Sequence, residues 1–372
     1  MSTPPSTDAR TDADTEVAAV TGALSREAIA RVDRTGQLDD VLALPEHLRD
    51  AAWRVESAIM QGWDTSAGLV VAGMGGSAIG GALARAALGD HASRPIFVTR
   101  AYGLPPWTTP DTMVLCASYS GETEETLACY ESAGALGAQR VVVTTGGRLA
   151  EMARADGVPV IPLPGGFQPR AAVAYMTVAA LEVAALCGAG PRLTSEIDVA
   201  ASHTEQLVAE WGPDAGEDSL AKTVARGLLD TIPVIAGAGL TTPIAYRWKT
   251  QINENAKLPC FMHELPELDH NELVGWEGAG DLNPPARFAA VFLDDSDAHP
   301  RVKERMALTE RLIAPNAAAS FHLETRGQTT IERVISLVLL GDLVSIYLAA
   351  LRGVDPGPVH VIEELKAALA KS

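Results

Sequence analysis

Met113-Val114-Leu115-Cys116-Ala117-Ser118-Tyr119-Ser120-Gly121-Glu122-Thr123-Glu124-Glu125-Thr126-Leu127 is the stretch that decides the fold. Its five leading apolar residues read as a buried strand, and Thr123 onward reads as the first turn of a helix. Between the two, hydroxyl side chains crowd around one glycine. A strand that breaks through Ser and Gly into a helix makes an anion site, because free N–H groups and the positive end of the helix dipole point into the turn. Ser118, Ser120 and Thr123 add donors without adding charge, which suits a phosphate monoester. One Ser before one Gly would be a helix cap and nothing more. The full Ser-x-Ser-Gly-x-Thr cluster favours a phosphate cradle.

Outward from this segment the same plan recurs. Residues 68–73 read as a strand ending in Gly73-Met74-Gly75-Gly76-Ser77, with a small-residue helix over 78–88. Residues 95–99, 140–145 and 158–162 read as further strands, and 124–135 and 173–186 as helices. Strands alternating with helices through Gly turns predict an α/β fold with a doubly wound parallel sheet. The plan then repeats. Strand 232–239 echoes the strand and glycines of 70–75, helix 246–255 follows, and strand 287–293 corresponds to that of 113–117. Helix 302–313 and strand 319–323 continue the match. Such a repeat predicts two tandem subdomains. The expected division is a disordered tail and helical lead-in over 1–66 and a first subdomain, with the phosphate site, over 67–190. A linker helix and second subdomain, with an insertion over 258–284 and a C-terminal helix, occupy 191–372. Where the first half has its hydroxyls, the second has Asp294-Asp295-Ser296-Asp297. Three carboxylates repel phosphate, so one cradle per chain is expected.

Composition narrows the partners. The chain has 372 residues, with 47 acids against 29 bases and a net charge of −18. No block of Lys or Arg stands out, which makes nucleic acid and anionic membrane poor partners. An anionic substrate must be caught locally. Cys116, Cys129, Cys187 and Cys260 are scattered without a C-x-x-C pair, the pattern of a reducing, cytoplasmic compartment. Residues 1–17 lack the basic start and apolar core of a signal peptide. The apolar run 334–351 is long enough to span a membrane but carries Asp342 and Ser345, and reads as a buried core helix.

Several residues invite chemistry, each beside a plainer alternative. Gly73-Met74-Gly75-Gly76-Ser77 superficially fits a dinucleotide fingerprint, but the acid expected some twenty residues later is missing from 93–100. A sugar lying across Gly75, Gly76 and Ser77, with its phosphate at Ser118, Ser120 and Thr123, fits better. Arg170, in Pro169-Arg170-Ala171-Ala172, is a cation near a helix start, where the dipole disfavours it; that misfit points toward a ligand oxyanion. Glu254, between Asn253 and Asn255, is either part of a solvated charged face or a general base held by its amide neighbours. His263 and His270 sit among four acids. They read as solvent-facing loop residues, as ligands for a metal, or as acid–base groups. Lys366 reads as a solvated Lys paired with Glu363 one turn back.

Together these segments resemble one family. Gly73-Met74-Gly75-Gly76-Ser77, the motif over 118–126, Pro169-Arg170-Ala171-Ala172, Asn253-Glu254-Asn255-Ala256-Lys257 and Glu264-Leu265-Pro266-Glu267-x-x-His270-Asn271 are similar to motifs of the bifunctional phosphoglucose/phosphomannose isomerases, built from two sugar-isomerase (SIS) subdomains. The resemblance covers nearly the whole chain after Gly68. It implies interconversion of glucose 6-phosphate or mannose 6-phosphate with fructose 6-phosphate through a cis-enediol, without metal or cofactor. It implies Glu254 as the base between C1 and C2, Arg170 as the cation on the enediolate and Lys366 near the ring oxygen. His270 would be the ring-opening histidine, supplied across a homodimer interface. Ser77, Ser118, Ser120 and Thr123 would contact substrate and phosphate. Glu122 departs from the Asn often found there, and is tolerable only if it turns from the phosphate. The alternative is a non-catalytic SIS sensor of sugar phosphates. Such regulators usually carry a DNA-binding helix-turn-helix, whereas this chain opens acidic and has no basic patch.

Overall fold

The computed structural model describes residues 24–63, 65–281 and 287–369; the tail expected over 1–17 lies outside them. Five strands, β1 (Leu69–Gly73), β2 (Ile96–Thr99), β3 (Met113–Ala117), β4 (Gln139–Thr144) and β5 (Val160–Pro162), form a parallel sheet in the order β2-β1-β3-β4-β5. Four more, β6 (Ile232–Ala238), β7 (Phe261–Leu265), β8 (Phe288–Asp294) and β9 (Ala319–Glu324), form a second parallel sheet in the order β7-β6-β8-β9. The longer helices are α1 (Leu44–Ser57), α2 (Gly75–Leu88), α3 (Glu124–Leu136), α4 (Gly147–Asp156), α5 (Val173–Leu186) and α6 (Thr194–Trp211). They continue with α7 (Leu220–Leu228), α8 (Thr242–Asn255), α9 (Pro300–Ile313), α10 (Thr330–Leu351) and α11 (His360–Leu369).

The strand pattern sets the layers. Alternate side chains of a strand face opposite ways. Val71, Leu115 and Val143 point into a large core that also takes Ile235 and Val291 of the second sheet and Leu337 and Leu340 of α10. Val70, Val114 and Val142 point outward, under α3 and α4. Both faces of β1 and β3 are therefore covered, which is why their sequences are apolar at every position. The greasy run with Asp342 lies in α10, buried throughout 331–349 within the protein. Gly341 lets α8 approach it: a Cβ there would lie 2.2 Å from the Trp248 indole nitrogen. That nitrogen donates to the Leu337 carbonyl at 2.8 Å.

Two departures from the sequence expectation have physical causes. Part of the insertion expected over 258–284 is strand β7, paired parallel to β6 as β2 is to β1. It is an edge strand with only Leu265 buried, so it shows no apolar run. Helix α4 begins directly at Gly147 after the strand β4, a turn that reads in sequence only as the end of a strand.

In each sheet the next two strands in the chain flank the first on opposite sides, β2 and β3 about β1, β7 and β8 about β6. Open α/β sheets bind ligands at the carboxyl ends of such strands. In the second sheet the acidic segment at the end of β8 is paired within the chain. Asp294 and Asp295 are buried, Arg333 Nε lies 2.9 Å from Asp295 Oδ1, and Thr325 Oγ1 donates to the same oxygen at 2.9 Å.

His322 ties the nearby elements together, with Nδ1 2.8 Å from Glu310 Oε2 and Nε2 3.3 Å from Asp294 Oδ2. The hydrogen bond to Asp294, joined by Glu310, raises its pKa against the effect of burial. A raised folded pKa means the protonated ring stabilises the fold. That contribution is complete below the unfolded value of about 6.5 and fades as pH rises through the folded value. His322→Asn should therefore lower the thermal midpoint more at about pH 6 than at about pH 9. An equal drop at both would contradict the ion pairing.

Candidate active site

The first crevice, between the ends of β1 and β3, stays open. Gly75, Ser77, Ser120, Thr123, Arg170, Glu254 and Lys366 all line one cleft of about 510 Å³, a size suited to a small ligand.

Its floor is the hydroxyl turn. Gly121 has a φ of +73°, and a Cβ there would lie 1.9 Å from the Gly146 carbonyl oxygen, so only glycine fits. The Gly121 N–H donates to Ser118 Oγ at 3.1 Å, and Ser118 Oγ lies 2.8 Å from Thr123 Oγ1. Ser118 is 1% exposed and does not line the cleft. Its hydroxyl bonds inside the turn, to the Gly121 N–H and to Thr123 Oγ1, and so holds Thr123 in place. Ser120 is exposed to the cleft. Helix α3 starts at Glu124 with no side-chain cap from Thr123, so its first N–H groups lack both an intrahelical acceptor and a capping oxygen. The Tyr119 N–H donates to Ser77 Oγ at 3.2 Å, joining this turn to the start of α2. Gly76 also lies off the cleft wall. A Cβ there would meet the Pro169 carbonyl oxygen at 2.7 Å, so this glycine seats α2 against the Arg170 loop, while Gly75 lines the cleft. Glu122 Oε1 accepts the Arg148 N–H at 2.8 Å, which turns that oxygen to the start of α4.

The opposite wall carries the charges. Arg170 is 4% exposed. Its Nη1 lies 3.3 Å from Glu254 Oε2, its Nε donates to Asn255 Oδ1 at 2.6 Å, and its Nη2 donates to the Pro356 and Gly357 carbonyls at 2.7 and 2.9 Å. Burial pulls the Arg170 pKa down, opposed chiefly by the charge of Glu254; a guanidinium nevertheless stays a cation. Glu254 is the penultimate residue of α8, with 30% of its side chain exposed. The expectation that both neighbouring amides hold Glu254 is corrected. Asn255 grips Arg170 instead, and Asn253 Oδ1 accepts the Cys260 N–H at 2.8 Å, fixing the turn into β7. The cleft thus sets a cluster of uncharged donors facing a carboxylate–guanidinium pair.

Known proteins share this arrangement of sequence. A bifunctional phosphoglucose/phosphomannose isomerase from Caldicellulosiruptor bescii is 39% identical over 305 residues, covering 82% of this chain and 89% of that one. One from Aquifex aeolicus is 37% identical, covering 82% and 91%. This chain belongs to the bifunctional phosphoglucose/phosphomannose isomerase family. Residues 217–369 match the model of the bacterial phospho-glucose isomerase C-terminal SIS domain. In fold, the isomerase chain is similar to a hypothetical protein from Thermus thermophilus, with a TM-score of 0.72 at 17% identity over 97% of this chain and 96% of that one.

The remaining candidates of this isomerase-family chain fall as follows. Lys366 lies on α11, whose Ile362 and Leu365 line the cleft together with Val359 just before the helix. Its expected partner Glu363 goes instead to His360 Nδ1 at 3.3 Å. His270 is exposed on the turn after β7 and does not line the cleft of its own chain. His263 pairs with Glu272. Among the described residues, no three His, Cys, Asp or Glu side chains converge as a metal-ligand set. Two buried residues escaped the reading as site members. Arg247 donates to the Arg170 carbonyl at 3.1 Å and pairs with Asp342 at 2.6 Å. The available signal was an acid inside an apolar run, since a buried charge demands a partner.

Proposed function

We propose that this chain interconverts glucose 6-phosphate and mannose 6-phosphate with fructose 6-phosphate. The observation that carries the proposal is one cleft with an uncapped, hydroxyl-lined helix start at one side and the Arg170–Glu254 pair at the other. The phosphate is bound by the first N–H groups of α3 with Ser120 and Thr123. It anchors the substrate at a point remote from the reacting carbons, so its binding energy orients them. The sugar lies over Gly75 and Ser77. Glu254 removes the C2 proton of the open-chain aldose. The C–H electrons form the C1–C2 double bond, and the carbonyl electrons move onto O1. Arg170 faces this developing oxyanion, the usual large electrostatic contribution. The same carboxyl returns the proton to C1 while the proton on O2 passes to O1, leaving the ketose. Glucose and mannose differ only at C2, and removing the C2 hydrogen erases that difference. One cis-enediol therefore serves both epimers.

Ring opening needs an acid at the ring oxygen; His270 takes that role, with Lys366, which lines the cleft, near the same oxygen. His270, exposed and outside its own cleft, is assigned to the cleft of a second copy in a homodimer. The buried free thiols suit a reducing cytoplasm.

A coupled assay with each hexose 6-phosphate, with and without EDTA, tests the proposal. Turnover of both epimers that survives chelation is expected; binding without turnover would leave a sensor. Ser120→Ala with Thr123→Ala should raise KM by about tenfold or more, with kcat within a few-fold, because charge-assisted hydrogen bonds to the phosphate are lost. An unchanged KM would remove the cradle.

A further inference from the structure

Two buried polar residues in the middle of α10, Asp342 and Ser345, have no part in the chemistry above, yet both end on it. Asp342 is 3% exposed and takes Arg247 through two hydrogen bonds, Nε at 2.9 Å and Nη2 at 2.6 Å. Arg247 then spends Nη2 on the main-chain carbonyl of Arg170 at 3.1 Å. One turn on, Ser345 Oγ accepts the Asn255 Nδ2 hydrogen at 2.8 Å. That bond fixes which end of the amide faces Arg170, so Asn255 Oδ1 is the atom that receives the Arg170 Nε hydrogen at 2.6 Å.

We infer that Asp342 and Ser345 are positioning residues: one turn of α10 clamps Arg170 by its main chain through Arg247 and by its side chain through Asn255. The spacing makes this a unit. Residues 342 and 345 share a face of α10, and 247 and 255 share a face of α8. The helices already pack through Gly341 and Trp248 without charge. A buried ion pair is weak evidence of stability, since an apolar pair of like volume often does as well. What apolar residues cannot do is aim a guanidinium. Its Nη1 is left directed at Glu254 because Nε and Nη2 are held elsewhere.

The inference rests on the function proposed above, in which Arg170 faces the enediolate. A double-mutant cycle on the full chain, with fructose 6-phosphate as substrate, separates the two. Ser345→Ala frees the Asn255 amide to rotate. It should lower kcat about tenfold or more while KM stays within about twofold, because misplacement of a catalytic group costs rate and the phosphate contacts are untouched. Arg170→Lys should lower kcat further, and adding Ser345→Ala to it should cost no more than about twofold, since both act through one group. Asp342→Asn, an independent arm, should show the same kcat loss and the same lack of additivity. If both folded variants keep wild-type kcat, or if their losses multiply with that of Arg170→Lys, the clamp is overturned. If Arg170→Lys itself keeps full kcat, the role of Arg170 has failed instead.

Discussion

Glu254→Gln should reduce kcat by about 10²–10⁴-fold, the range that a positioned general base contributes. The amide keeps the size of the carboxylate but cannot accept a proton from carbon. KM should change little, because the proposed phosphate contacts, Ser120 and Thr123, are left intact in the same cleft. The fold should survive. Arg170 would lose one contact at 3.3 Å but keep Asn255 Oδ1 and the Pro356 and Gly357 carbonyls. The decisive readout is hydrogen exchange. In D2O the wild-type enzyme should place deuterium at C2 of recovered aldose 6-phosphate, and the variant should not. Retained turnover would refute the assignment of the base.

Arg170→Lys should cost about 10²–10³-fold in kcat, the typical loss of one preorganised oxyanion donor. Charge is kept, so a simple Coulomb attraction would predict a mild effect. The geometry argues otherwise. The guanidinium serves Asn255 Oδ1, Glu254, Pro356 O and Gly357 O at once, from different edges of one plane. An ammonium has three donors on a flexible stem and cannot reproduce that fork. The variant would leave buried acceptors unpaired and would no longer aim a donor at the reacting oxygen. Full activity in Arg170→Lys would mean that the oxyanion is stabilised elsewhere.

Much of the fold was legible because its central strands, β1 and β3 above all, are buried on both faces. Met113–Ala117 and its neighbours announce themselves as apolar runs, and the turns between them as glycines. What was hidden was hidden for reasons of exposure. Strand β7 lies at an edge, with His263 half-buried and Glu264 exposed, so no run marks it. The site was legible as chemistry but not as allocation. Ser118, Ser120 and Thr123 look equivalent in sequence, but only the backbone path of Gly121 decides that Ser118 turns inward. Asn253 and Asn255 flank Glu254 symmetrically along the chain. On a helix each residue turns by about 100°, so residues two apart point to nearly opposite sides, and each amide finds a different partner. Asp342 needed a partner 95 positions away, which spacing alone cannot name.

The central claim is that the substrate's phosphate and its reacting carbons bridge this one cleft. A crystal structure of the chain with bound fructose 6-phosphate tests it most directly. The expected result is phosphate oxygens about 3 Å from Ser120, Thr123 and the first N–H groups of α3, with C1 and C2 over the Glu254 carboxylate at about 3 Å. Phosphate bound at any other place, or Glu254 turned from the sugar in every subunit of the assembly, would contradict it.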